Sequence, residues 1–136
     1  MELTQTFPSW LMMFEIGTEK QQDAAVDHAT KKEKVLICAH CQAPVTRDSA
    51  RIEINGGHRH SFFNPHGIIF QIGCFDEAPG CKPVSVASAE FSWFPGYNWR
   101  IVACANCNEH LGWDFNTSGL TVFYGLILDR LVTGSD

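Results

Sequence analysis

Apolar residues in this chain fall in short runs bounded by glycine, proline and asparagine, and seldom at the spacing of an amphipathic helix. Residues 17–34, GTEKQQDAAVDHATKKEK, carry mixed charge and almost no large apolar side chain. Nothing there repeats at a spacing that would bury a face, so residues 1–33 are expected to be a polar arm or tail. The pattern changes at VLIC (Val35–Cys38), and a folded domain is expected over residues 34–132. RIEIN enters Gly56-Gly57 and leaves as HRHSFF, which predicts a hairpin around a glycine turn. GIIFQIGCF (Gly67–Phe75) reads as a buried strand and DEAPGCKP as a loop. VSVASAEFSWF alternates for part of its length, then turns at Pro95-Gly96. NWRIVAC follows, and LTVFYGLIL (Leu120–Leu128) reads as a last strand after an NTSG turn. With no periodic stretch long enough for a helix, the predicted class is a mostly antiparallel β domain.

Cysteine spacing adds the first chemistry. CAHC (Cys38, Cys41) and CANC (Cys104, Cys107) are Cys-x-x-Cys pairs with about sixty residues between them. The two-residue gap lets both sulfurs of a pair face one ion from a tight turn, and four thiolates in a tetrahedron suit zinc. Full sulfur ligation leaves no position for water, so one structural zinc is expected. A redox dithiol or coincidence is the bland alternative, and His40 and His110 are nearby substitute ligands. Cys74 reads as a small buried hydrophobe and Cys81 as a loop thiol. A disulfide between them is the alternative in an oxidising compartment.

Aromatic residues add the second. EFSWFPGYNWRIVACANCNEHLGWDF (Glu90–Phe115) holds three of the chain's four tryptophans, Trp93, Trp99 and Trp113. Trp93 and Trp99 flank a turn, Trp113 follows the second cysteine pair, and Phe115 shares its face if that segment is extended. A plain aromatic core is one reading. Because each buried indole must also place its N–H, the clustering around a turn tips the balance toward a cage. Such a cage takes either a quaternary ammonium, by cation–π attraction, or a neutral ring held by apolar contact and strand backbone.

Charge and length narrow the classes. The chain has 136 residues and a formal net charge of -5, poor footing for nucleic-acid binding. No apolar run approaches the roughly 20 residues of a membrane-spanning helix. WLMMF (Trp10–Phe14) lacks the flanks of a signal peptide, and the expected setting is the cytoplasm. His58 and His60 follow the glycine turn and read as solvated, while His28 lies in the arm.

Taken together, EFSWFPGYNW, CANC, HLGW, FYGLILDRL and the upstream FFNPHG resemble the CULT domain, the thalidomide-binding domain of cereblon, and its small single-domain relatives. The resemblance runs from about Val35 to Leu131. It implies two antiparallel sheets meeting at an angle and pinned by a four-cysteine zinc, the β-tent. It also implies binding without turnover, in a tri-tryptophan cage that takes cyclic imides. Those are glutarimides such as thalidomide-like drugs, proteins bearing C-terminal cyclic imides, and uracil-like rings. Carried over by motif, the cage is Trp93, Trp99 and Trp113 with Phe115 as a fourth wall. Phe91, Ser92 and Trp93 supply the backbone segment. The imide N–H would donate to the Phe91 carbonyl, and the Trp93 N–H would donate to a ring carbonyl. Asn64 and Pro65 would line the rim, with His66 beside them.

Two departures matter. Animal cereblons carry histidine at the position of Phe91, and losing one neutral hydrogen bond is worth about 0.5–1.5 kcal/mol. The domains that tether cereblon to its ubiquitin ligase have no counterpart in this sequence, so a monomeric module without an adaptor role is expected. Some single-domain relatives are secreted, which leaves that compartment open. Two other functions compete. A methylated-ammonium reader could use Glu90 and Asp114 beside the cage, although adjacent strand residues face opposite ways. A methionine sulfoxide reductase of the B type shares the zinc-pinned fold and a stretch similar to CANCNEHLGW. It needs a nucleophilic cysteine on the last strands, and none follows Cys107.

Overall fold

A computed structural model of the chain describes residues 33–134, so the expected arm lies outside the described residues except for Glu33. Two antiparallel sheets make up the fold. The smaller contains β1 (Val35–Cys38), β2 (Pro44–Arg47) and β9 (Leu131–Gly134), in the order β2-β1-β9. The larger has the order β3-β4-β8-β7-β6-β5. Its strands are β3 (Arg59–Phe63), β4 (Ile69–Phe75), β5 (Cys81–Pro83), β6 (Asn98–Cys104), β7 (His110–Thr117) and β8 (Leu120–Ile127). The mostly β expectation holds, and among the described residues the first strand begins at Val35.

Several sequence-based boundaries are corrected. The glycine turn forms, with Ile54 bridged to Gly57, but its two arms do not pair along their length. Instead Ile52 N–H donates to the Cys74 carbonyl and Arg51 bridges Phe75, so RIEIN runs beside the end of β4. HRHSFF pairs with β4 around Asn64–Gly67. The cause is local. Asn64 Oδ1 accepts from the backbone N–H of His66 and of Ile68, both at 2.9 Å, and Gly67 supplies a φ of +85°. GIIFQIGCF is a strand only from Ile69, and it is buried only over its second half.

Proline and glycine conceal β5, which lies in the segment expected to be a loop. It pairs with β6 at the sheet's edge, where proline is tolerated. Residues 84–97, expected to begin as a strand, make no ladder. Val84 and Val86 are exposed, so their alternation faces no core. The segment is held to β6 by the bridge from Ser88 to Trp99, by the Val84 N–H donating to the Ile101 carbonyl at 2.8 Å, and by the Ile101 N–H donating to Ser85 Oγ at 2.8 Å. Chain pairing also continues past Leu128, because Leu131–Gly134 returns to β1 as β9. The NTSG turn forms as expected, with positive φ at Ser118 and Gly119.

The core divides in two. Leu36, Val45, Phe75, Val102, Leu111, Leu126 and Leu131 pack with Cys38 and Cys104 where the sheets meet. Ile72, Phe94, Trp113, Phe115, Phe123 and Ile127 form a second cluster beneath the aromatic segment. Strands β6, β7 and β8 contribute to both. The backbone of Gly80 passes against β2, its N–H donating to Val45 O at 2.9 Å while its carbonyl accepts from Ala105 N–H at 2.8 Å.

Candidate functional site

Cys38 closes β1 and Cys104 closes β6, and each opens a tight turn that returns its partner, Cys41 or Cys107. Gln42 and Asn108 adopt positive φ at matching positions after the two turns, so the knuckles are locally alike. All four sulfurs lie within 4.8 Å of one another. Cys38 and Cys107 are 3.8 Å apart, Cys41 and Cys104 3.7 Å. A tetrahedral ion with metal–sulfur bonds of about 2.3 Å requires edges of about 3.8 Å, so the donor set fits a thiolate-bound metal. Asn106 Nδ2 reaches Cys41 Sγ at 3.2 Å and, ahead of the other influences, holds that thiol down at about 6. Desolvation raises Cys104 and takes Cys107 to about 12. Four thiolates this close repel one another unless a cation sits among them.

Cys74 and Cys81 are both free thiols. Cys74 is buried, and burial pushes it up to about 11, the state of an unreactive core thiol. Cys81 is not on a loop, since it sits on β5 directly opposite Cys104, and burial raises it as well.

A cavity of about 520 Å³ opens beside the second core cluster. Trp93, Trp99, Trp113 and Phe115 line it together with Asn64, Pro65 and Phe91, so seven of the eight residues singled out from sequence meet there. Ser92 does not line it; its hydroxyl donates to the Phe94 carbonyl at 3.1 Å. Trp99 stands on β6 and Trp113 and Phe115 on β7, and cross-strand register places Trp99 opposite Phe115 and Ile101 opposite Trp113. Trp93 sits on the irregular segment, not on a strand.

Specific contacts fix the walls. Trp93 meets Trp113 edge to face at 4.7 Å and stacks on Phe62 at 4.9 Å. Its indole N–H donates to the Phe63 carbonyl at 2.9 Å. The Trp99 N–H donates to the Glu90 carbonyl at 2.8 Å. Two indole donors are thereby satisfied on the hairpin and on the segment that frame the hollow. Phe91 is 72% exposed and holds a φ of +58°, an uncommon conformation for a bulky side chain. Among the described residues, no hydrogen bond uses the Phe91 carbonyl or the Trp93 amide.

Sequence reasoning missed Phe70, Ile101, Ser88 and His110 as lining residues and left Glu90 undecided. Glu90 lines the cavity, whereas Asp114 is turned away and paired with Arg100. Phe70 and Ile101 carried a signal in strand alternation, each directly opposite a residue facing the hollow or its wall: Phe62 and Trp113. His110 packs on Trp113 at 4.8 Å, and its Nε2 lies 3.1 Å from the Gly112 carbonyl. Burial lowers its pKa below the usual histidine value. No cysteine lines the cavity.

No protein-family model matches the chain. Curated relatives do. Protein cereblon of Xenopus tropicalis is 31% identical over 109 residues, which cover 77% of this chain and 24% of that protein. Protein cereblon of Gallus gallus is 30% identical over 130 residues, covering 90% of this chain and 29% of that protein. That of Drosophila melanogaster is 32% identical over 105 residues, covering 71% and 18%. The chain therefore spans about a quarter of the length of the curated relatives it matches. Among solved structures, a Mis18 'Yippee-like' domain aligns with a TM-score of 0.50 at 13% identity, covering 77% of this chain and 98% of that one. At that identity the likeness is one of fold alone. With the paired knuckles, the two sheets and cereblon-like sequence over most of the chain, the described residues form a cereblon-like CULT domain.

Proposed function

We propose that this domain, over residues 34–132, is a binding module for cyclic imides and performs no turnover. The observation that carries the reading is the meeting of three indoles around one hollow beside the Phe91 carbonyl and the Trp93 amide, which have no hydrogen-bond partner among the described residues. An imide edge offers acceptor, donor and acceptor in sequence. The Phe91 carbonyl supplies an acceptor for the N–H, and the Trp93 N–H supplies a donor for one ring carbonyl. Indole faces cover the aliphatic part of the ring. Asn64 and Pro65 form the rim, and Phe115 closes the floor. Zinc is the ion the four thiolates suit, and its role is to fix the ends of β1 and β6. Ligands of the class are glutarimides, uracil-like rings and protein chains ending in a cyclic imide.

Titration with glutarimide, followed by tryptophan fluorescence, tests this, with saturable quenching expected. A flat response at millimolar ligand would end it. Glu90 in the cavity wall favours a second reading, a reader of methylated ammonium groups. Competition separates the two, because an imide module keeps glutarimide in the presence of trimethyl-lysine and a cation reader releases it.

A further inference from the structure

The face of the sheet behind the cage carries a buried charge that imide recognition does not use. Across the β6–β7 ladder, Arg100 lies opposite Asp114, flanked on one side by Trp99 opposite Phe115 and on the other by Ile101 opposite Trp113. Successive strand residues alternate between faces, so the four flanking side chains face the hollow and the ion pair lies behind them. Asp114 is 1% exposed. Arg100 Nε donates to Oδ1 at 3.3 Å and to Oδ2 at 3.1 Å, and Nη2 donates to Oδ2 at 2.8 Å. Nη2 also donates to Thr121 Oγ1 at 3.3 Å, on β8. Asn116 Nδ2 donates to Asp114 Oδ1 at 2.8 Å. One guanidinium and one carboxylate thus tie three strands together directly behind the cage. Their ties straddle the irregularity between Phe115 and Asn116, where the β7–β8 register shifts.

We propose that Arg100 and Asp114 are positioning residues for the cage, holding β6 and β7 in the one register that turns Trp99, Trp113 and Phe115 toward the ligand. The proposal rests on the imide-binding reading for its ligand. A buried ion pair is a poor source of net stability, because desolvating the charges offsets their attraction and a well-packed apolar pair often serves as well. What the fork-shaped pair adds is direction. A slip of one residue would place Trp113 or Phe115 opposite Arg100, send the cage rings to the wrong face, and leave a carboxylate buried without its cation. The pair penalises that slip far more than an apolar contact would.

The test compares the wild type, R100M/D114L and R100K. Three quantities are read for each: the thermal midpoint, glutarimide affinity by calorimetry, and the near-ultraviolet circular dichroism of the ligand-free protein. The last reports the fixed edge-to-face geometry of Trp93 and Trp113. R100M/D114L is expected to keep or raise its midpoint while affinity falls by about tenfold and the tryptophan bands weaken. R100K keeps the cation but loses the fork, and is expected to fall between the two in affinity and band intensity. Wild-type affinity and wild-type bands in R100M/D114L would overturn the proposal. If that variant does not fold, R100K decides by the same two readings. Should the wild type itself fail to bind glutarimide, the imide reading falls, and the ligand-free spectra still decide the positioning role.

Discussion

Removing a metal held by the four thiolates should separate the two sheets, and the size of the effect follows from where the sulfurs lie. Cys41 and Cys104 are 63 positions apart in sequence and their sulfurs 3.7 Å apart in space. Treated as a crosslink, a closed loop of that length removes about 4 kcal/mol of conformational entropy from the unfolded chain at 25 °C. The total stability of a domain this size is typically about 5–15 kcal/mol. The smaller sheet is ill placed to absorb the loss, since each of its three strands has only four residues. Complete chelation should therefore lower Tm by about 20 °C or more. The assay is calorimetry on protein whose metal content is measured by elemental analysis before and after treatment with a strong chelator under reducing conditions. One zinc per chain is expected at the start. Protein shown to be metal-free that melts within a few degrees of the untreated sample would refute the reasoning, and so would a starting sample without metal.

Four further outcomes are expected. W99F keeps an aromatic wall but removes the 2.8 Å bond to the Glu90 carbonyl, and glutarimide affinity should fall by about 2- to 12-fold by calorimetry. 2-Piperidone, which lacks one imide carbonyl, should bind about 1–3 kcal/mol more weakly than glutarimide in the same assay, because the Trp93 N–H or its equivalent donor then stays unpaired. His58 and His110 both have pKa values lowered by burial, so the unfolded chain takes up protons that the fold excludes. Their stabilising effect is full above the unfolded value of about 6.5 and is lost as pH falls below it, so denaturant midpoints should drop between about pH 7 and pH 5, less steeply in H110Q. In G80A the new methyl would collide with the Pro44 carbonyl oxygen and the Val45 backbone, neither of which is a flexible tip, and unfolding free energy should fall by about 1–3 kcal/mol.

What could be read from sequence was chemistry held in short, self-contained patterns. Each knuckle places its own two sulfurs, so two Cys-x-x-Cys pairs predicted the cluster without knowledge of the strands between them. Trp99, Trp113 and Phe115 lie on strands whose alternation already sends them to one face. Trp93 was harder, because its place depends on the Phe63 carbonyl, 30 positions earlier in the chain, and on stacking with Phe62. The hairpin error has the same origin. Two glycines in RIEINGGHRH do make a turn, but which strands then pair is decided by Cys74 and Phe75, far along the chain. Cys81–Pro83 escaped because proline beside glycine signals a loop everywhere except on a sheet edge. Glu90 was undecidable for want of a ladder, since alternation assigns a face only where a strand exists.

Residues 84–97 carry Glu90, Phe91 and Trp93, and they are anchored by the Ser88–Trp99 bridge, by Val84 and Ser85 against Ile101, and by Phe94, which is buried between Phe115 and Phe123. Recognition and scaffolding thus alternate residue by residue within one passage, with Glu90 and Phe91 facing the hollow and Phe94 buried beneath it. A library that varies Glu90 and Phe91, keeping Ser85, Ser88, Trp93 and Phe94, would explore new ring ligands on an unchanged frame, and lineages could diverge in what they capture without relearning how to fold.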